Sequence, residues 1–100
     1  MRTVLRFGRA LHWTRTARQL TQEDFSVVSS RTYISSIERN VRNPTLDKIG
    51  ALAKRLQVHP LTLVTLAYSE LGEVPDALLA QVGKEVRALI AEFAAASEEQ

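Results

Sequence analysis

The side chains able to do chemistry lie mainly between positions 15 and 43, and they are hydrogen-bond donors rather than catalysts. Arg31, Thr32, Ser35, Ser36 and Arg39 fall on the outer side of one short helix, whose Ile34 and Ile37 turn inward. That outer face is free of carboxylates, which would meet DNA phosphates at close range. A helix of this kind fits the major groove, roughly 12 Å wide. Arg31 has two readings. It donates in bidentate fashion to guanine, the commonest specific base contact, or it touches a phosphate alone. Tyr33 also has two, reaching a phosphate or packing on the preceding helix. Other chemistries lack their residues. His12 and His59 have no Cys, Asp or Glu at ligand spacing, so no metal site is expected. The chain has no Ser-His-Asp set, no Gly-rich phosphate loop and no paired carboxylates in an apolar setting. Neither enzymatic activity nor a cofactor is expected.

The elements that must position these side chains all read as helix. Val4, Phe7, Leu11 and Thr14 recur at helical spacing and predict a first helix over Thr3–Arg18. Thr21 is an N-cap, followed by Glu23 and Asp24 in a first turn. A second helix is therefore expected over Gln22–Val28, burying Phe25 and Val28. Ser29-Ser30 forms a turn, and the third helix runs over Arg31–Arg39. Asn40 suits a left-handed C-cap. Thr45 caps a fourth helix to Leu56, with Leu46, Ile49, Leu52, Ala53 and Leu56 as its buried stripe. His59-Pro60 opens a fifth, with His59 standing in for a capping residue and Pro at the first helical position. Leu61, Val64 and Leu66 lie within it, and Gly72 ends that region. Pro75 starts a last helix, over Pro75–Ala96, in which Leu79, Val82, Val86, Leu89 and Phe93 step by 3, 4, 3 and 4.

Charge divides along the chain. Residues 1–59 carry eleven Lys and Arg against four Asp and Glu, a net +7. Residues 60–100 carry two against seven, a net −5. A basic front suits a polyanionic partner. The chain has no cysteine, which suits a reducing cytosol. No apolar run approaches the ~18 residues of a membrane span, and Met1-Arg2-Thr3-Val4 lacks a signal peptide's apolar stretch. A cytoplasmic location without membrane attachment is expected.

Leu20-Thr21-Gln22-Glu23, then Tyr33-Ile34-Ser35-Ser36-Ile37-Glu38-Arg39, then Arg42-Asn43-Pro44-Thr45-Leu46 resemble the lambda-repressor-like (Cro/XRE) helix-turn-helix family over residues 4–68. The resemblance implies an all-α fold, a five-helix DNA-binding domain over 1–70 followed by a C-terminal amphipathic helix over 73–100. It implies a dimer on double-stranded DNA that regulates transcription, usually by repression, at a near-palindromic operator. In the family, the positions of Arg31, Thr32, Ser35 and Ser36 point at base edges. Gln22 lies against the DNA backbone, and the Arg39, Asn40, Arg42 and Asn43 segment touches phosphates, with Arg18 a lesser candidate. The family pairs an arginine at the position of Arg15 with a glutamate at that of Glu38, a structural ion pair. Two departures stand out. The turn Val27-Val28-Ser29-Ser30 is about two residues shorter than usual and has no Gly. Thr14 stands where a core Leu is common, with Trp13 beside it either filling the space or exposed.

The last helix carries Leu78, Leu79, Val82, Val86, Leu89, Ile90 and Phe93, enough apolar surface that it must pack on something. A second copy of the chain, with Leu79, Val82, Val86, Leu89, Ile90 and Phe93 at the seam, is one solution. Folding back on its own chain is the other. A further possibility is an antitoxin-like protein whose last helix covers a second, toxin-like polypeptide while the front binds DNA.

Overall fold

Helix α1 spans Phe7–Ala17 in the computed structural model, which describes residues 6–69 and 75–98. Phe7, Ala10, Leu11 and Thr14 all face the core, which is the helical spacing read from the sequence. Val4 and Gly72 lie outside the described residues. Thr14 is buried without loss of its hydrogen bond, because its hydroxyl donates to Ala10 O at 2.9 Å. Trp13 leaves the core to others and lies half-buried beneath the Arg9 guanidinium, 4.5 Å from the ring centroid.

The second helix is shorter than expected. Residues Gln22–Phe25 form a single 3₁₀ turn, and the chain bends through 26–29 instead of continuing to Val28. Its start is well specified. Thr21 Oγ1 accepts from the Asp24 amide at 3.2 Å and Asp24 Oδ2 accepts from the Thr21 amide at 2.7 Å, a reciprocal capping box. Its end is set by tertiary ties. Lys48 Nζ donates to Val28 O at 3.1 Å and Arg55 Nε donates to Asp24 O at 3.0 Å. These donors from the fourth expected helix satisfy carbonyls of this segment from outside it. Phe25 is fully buried and Val28 partly so, whereas Val27 is 86% exposed. The short turn therefore needs no glycine.

Helix α2 (Arg31–Glu38) begins at Ser30, whose side chain accepts from the Tyr33 amide at 3.1 Å. Asn40 follows it at φ 61°, the left-handed conformation that Asn tolerates after a helix end. Helix α3 (Leu46–Leu56) is capped by Thr45 and buries Ile49, Leu52, Ala53 and Leu56. Leu46 departs from the expected stripe and is 84% exposed, since the first turn of α3 runs beyond the edge of the core. Helix α4 (Pro60–Tyr68) has Pro at its start, with the His59 ring Nδ1 accepting from the Leu61 amide at 3.0 Å. It contributes Leu63 and Ala67 to the core, with Val64 and Leu66 partly buried against it.

Close packing of α1 against the end of α2 depends on Gly8. A Cβ there would lie 2.4 Å from Ile37 O and 2.8 Å from Glu38 O. Without one, the Gly8 amide donates to Asn40 Oδ1 at 3.2 Å.

The chain divides into two compact units, residues 1–70 and 71–100. The second contains α5 (Asp76–Glu98), a single 23-residue helix. No described residue of α5 is buried, and Leu79, Val82, Val86, Leu89, Ile90 and Phe93 are 45% to 74% exposed. Every regular element among the described residues is helical.

Candidate nucleic-acid interface

Ile34 and Ile37 are buried to 1% exposure or less and fix α2 on the core. Positions 31, 32, 35 and 39 face away from the core. Arg31, Thr32, Ser35 and Arg39 line a shallow groove of about 250 Å³ together with Gln22 from the 3₁₀ turn. Ser36 does not belong to it. It lies one position further round, only 6% exposed, and its Oγ donates to Tyr33 O at 2.6 Å. Phase alone does not separate it from Ser35, since both lie equally far round from the Ile34–Ile37 side; Ser36 is covered where the chain folds back after α2, with the Val41 amide donating to Ser36 O at 2.9 Å.

Other expected contact residues are divided between the surface and the framework. Arg39, Arg42 and Asn43 are exposed at and after the end of α2. Asn40 is exposed too, but its Oδ1 already serves the Gly8 amide. Arg18 Nε donates to Leu56 O at 3.1 Å, which commits that side chain to the C-terminus of α3. Tyr33 packs partly buried against the core, and Lys48 Nζ sits 5.5 Å from its ring centroid. This geometry is the packing alternative for Tyr33.

Behind the groove lies a network centred on Glu38. Its Oε2 accepts from Arg15 Nε at 2.7 Å and its Oε1 from Arg15 Nη2 at 3.0 Å, a bidentate pair. Arg15 Nη1 also donates to Leu20 O at 2.8 Å. Gln22 Nε2 donates to Glu38 Oε1 at 3.3 Å, and His12 Nδ1 lies 3.2 Å from the same oxygen. The Arg15 and Glu38 side chains are 15% and 7% exposed. Burial by itself pushes the Glu38 carboxyl up. Hydrogen bonds from Arg15, His12 and Gln22, with the Arg15 charge, outweigh it and hold the group below the usual carboxylate range. The pair so formed ties α1, the 3₁₀ turn and α2 into one unit, and Gln22 enters the groove from a fixed base.

Three residues of this surface carried no evident signal in the sequence. Glu23 Oε1 lies 3.4 Å from Arg31 Nη1, eight positions away. Lys48 and Arg55 reach back from α3 to hold the 3₁₀ turn. Each pairing joins separate elements, so no local spacing announces it. Among the described residues there is no cluster of metal-ligating side chains, and no helix is long and apolar enough to cross a membrane.

A model of the family described as Helix-turn-helix matches residues 11–63, from within α1 into α4. The chain belongs to the helix-turn-helix family. Within that family it is of the Cro/C1-type XRE class, whose members are non-enzymatic DNA-binding regulators. Among solved structures, the chain is similar to the restriction-modification controller protein C.AhdI from Aeromonas hydrophila. The two are 36% identical, the match covers 59% of this chain and 92% of that one, and the TM-score is 0.56. No curated protein matches. This helix-turn-helix protein is thus a DNA-binding transcriptional regulator.

Proposed function

We propose that the protein is a homodimeric repressor that reads a near-palindromic operator through α2. The observation that carries this reading is the outer face of α2. It presents Arg31, Thr32, Ser35 and Arg39, while the one carboxylate of the helix, Glu38, turns inward onto Arg15. Arg31 at the start of the helix donates to a guanine edge, with Thr32 and Ser35 on neighbouring bases. Gln22, Arg39, Asn40, Arg42 and Asn43 clamp phosphates and set the register. The likeness to a restriction-modification controller supports a regulatory role of the same kind.

The apolar stripe of α5 supports the dimer. A helix of 23 residues with Leu79, Val82, Val86, Leu89, Ile90 and Phe93 all exposed does not persist alone in water. Pairing with the same stripe of a second copy buries it and holds two α2 helices for half-sites about 34 Å apart. Such a dimer represses by occupying promoter DNA.

Sedimentation of the full chain, free and on a duplex carrying its site, tests the assembly. Two chains per duplex are expected, and Val86→Asp with Leu89→Asp is expected to yield monomers with weakened binding. A parent protein that binds its site as one chain contradicts the dimer. Affinity is expected to fall with salt at a log–log slope of about −5 to −9, for roughly 6–10 phosphate contacts.

A further inference from the structure

Glu23 is a carboxylate on a surface that approaches phosphates, where it opposes affinity. The other two acidic groups in this part of the fold have structural uses. Glu38 is turned onto Arg15, and Asp24 closes the capping box with Thr21. Glu23 is 72% exposed, and its ion-pair partner among the described residues is Arg31, itself 68% exposed. Both side chains line a groove of about 330 Å³ with Arg15, Thr21 and Gln22.

We propose that Glu23 is a specificity-determining positioning residue: its carboxylate holds the Arg31 guanidinium toward a base edge and denies it a neighbouring phosphate. The proposal rests on the reading of Arg31 as a base contact. Glu23 engages Nη1 of the guanidinium. That leaves the Nε and Nη2 edge to present two parallel donors, the pattern that guanine O6 and N7 accept. The pair is exposed, so it biases the side chain by only about two- to five-fold and does not lock it. At the correct base, Arg31 donates to guanine while staying beside Glu23. At a wrong base, the nearest alternative acceptor is a phosphate. Reaching it breaks the pair and leaves a carboxylate facing the DNA backbone uncompensated. The mismatch therefore finds no substitute contact, and discrimination rises at some expense in affinity.

The test compares the full-length parent, Glu23→Gln, Arg31→Ala and the double variant. The probes are a duplex selected by the parent from a random pool, its single-base-pair variants, and a scrambled duplex. Glu23 is exposed, so Glu23→Gln is expected to melt with the parent, and a binding change then reports recognition. Glu23→Gln is expected to bind the scrambled duplex about three- to ten-fold more tightly. One extra neutralised phosphate steepens its log–log salt slope there by about 0.9. Discrimination at one base pair per half-site is expected to fall by a similar factor. Arg31→Ala should lose preference at that same base pair, and adding Glu23→Gln to it should leave every base preference unchanged, with only the smaller non-specific gain of removing one carboxylate. A gain in scrambled-duplex affinity that is as large in the Arg31→Ala background as in the parent is a general charge effect and overturns the proposal. So does undiminished discrimination in Glu23→Gln while Arg31→Ala has lost it, an outcome that leaves the base-contact reading standing. If Arg31→Ala keeps every base preference, the base-contact reading fails and the Glu23 proposal falls with it.

Discussion

Replacing Glu38 by alanine strips Arg15 of both carboxylate hydrogen bonds and removes the acceptor of Gln22 in the same step. The guanidinium, 15% exposed in the parent, then keeps Leu20 O and the His12 ring, 3.1 Å from Nη2, as its remaining contacts. Removing one member of a buried pair typically costs about 3–5 kcal/mol, because the other charge is left uncompensated. Retention of the Leu20 contact and some access to water put Glu38→Ala at the low end, about 3 kcal/mol. That is a large part of the ~5–10 kcal/mol available to a domain of this size. At roughly 4–8 °C per kcal/mol for a small domain, the melting temperature should drop by about 12–24 °C. Far-ultraviolet circular dichroism on heating measures it directly. Glu38→Gln keeps an acceptor but no charge and is expected to fall between. Arg15→Ala combined with Glu38→Ala should cost less than the two singles added together, since neither charge is then stranded. A Glu38→Ala protein melting within about 2 °C of the parent would refute the reasoning, because nothing buried would have been uncompensated.

Three further outcomes follow from the same geometry. Gly8→Ala puts a methyl group against the Ile37 and Glu38 carbonyls, at 2.4 and 2.8 Å. Overpacking of that kind costs about 1–3 kcal/mol, and a lowered urea midpoint at unchanged m-value reads it out. Phe25→Ala empties the only fully buried site of the 3₁₀ turn and should cost about 3–5 kcal/mol by the same measurement. The Glu38 carboxyl sits below its ordinary value of 4.5 in the folded chain. Its contribution is therefore complete above that value and is lost as pH falls through the folded one. The urea midpoint should decline as pH falls below about 4.5, and the decline should be shallower in Glu38→Gln.

Most of the framework was legible because each signal was local. Apolar spacing located α1 and α2, Thr45 and Ile49, Leu52 and Leu56 located α3, and His59-Pro60 located the start of α4. The misreadings arose where distant residues decide. The segment after Gln22 stops at one turn, and its carbonyls are met by Lys48 and Arg55 from α3, 20 and 31 positions away, ties that no local spacing announces. Leu46 follows the stripe's spacing yet is exposed, since periodicity gives a face but not how far the core extends along it. At the interface, Arg31, Thr32 and Ser35 do line the outer groove. Ser36 lies inside because the segment after α2 folds back over it, with the Val41 amide on Ser36 O, a contact that helical phase does not announce. Arg18 has the composition of a phosphate contact, but its partner is the α3 terminus, a pairing that appears only once the helices are packed.

The central claim is that α2 reads base sequence in a two-fold arrangement. Selection of duplexes from a random pool by the full-length protein tests this most directly. An enriched, near-palindromic site is expected, with half-site centres about 10 base pairs, or a multiple of that, apart. Arg31→Ala is expected to relax preference at one position in each half by about 1–3 kcal/mol. A pool that shows no enriched sequence, or one whose enriched sequence is unchanged by Arg31→Ala, would contradict the claim.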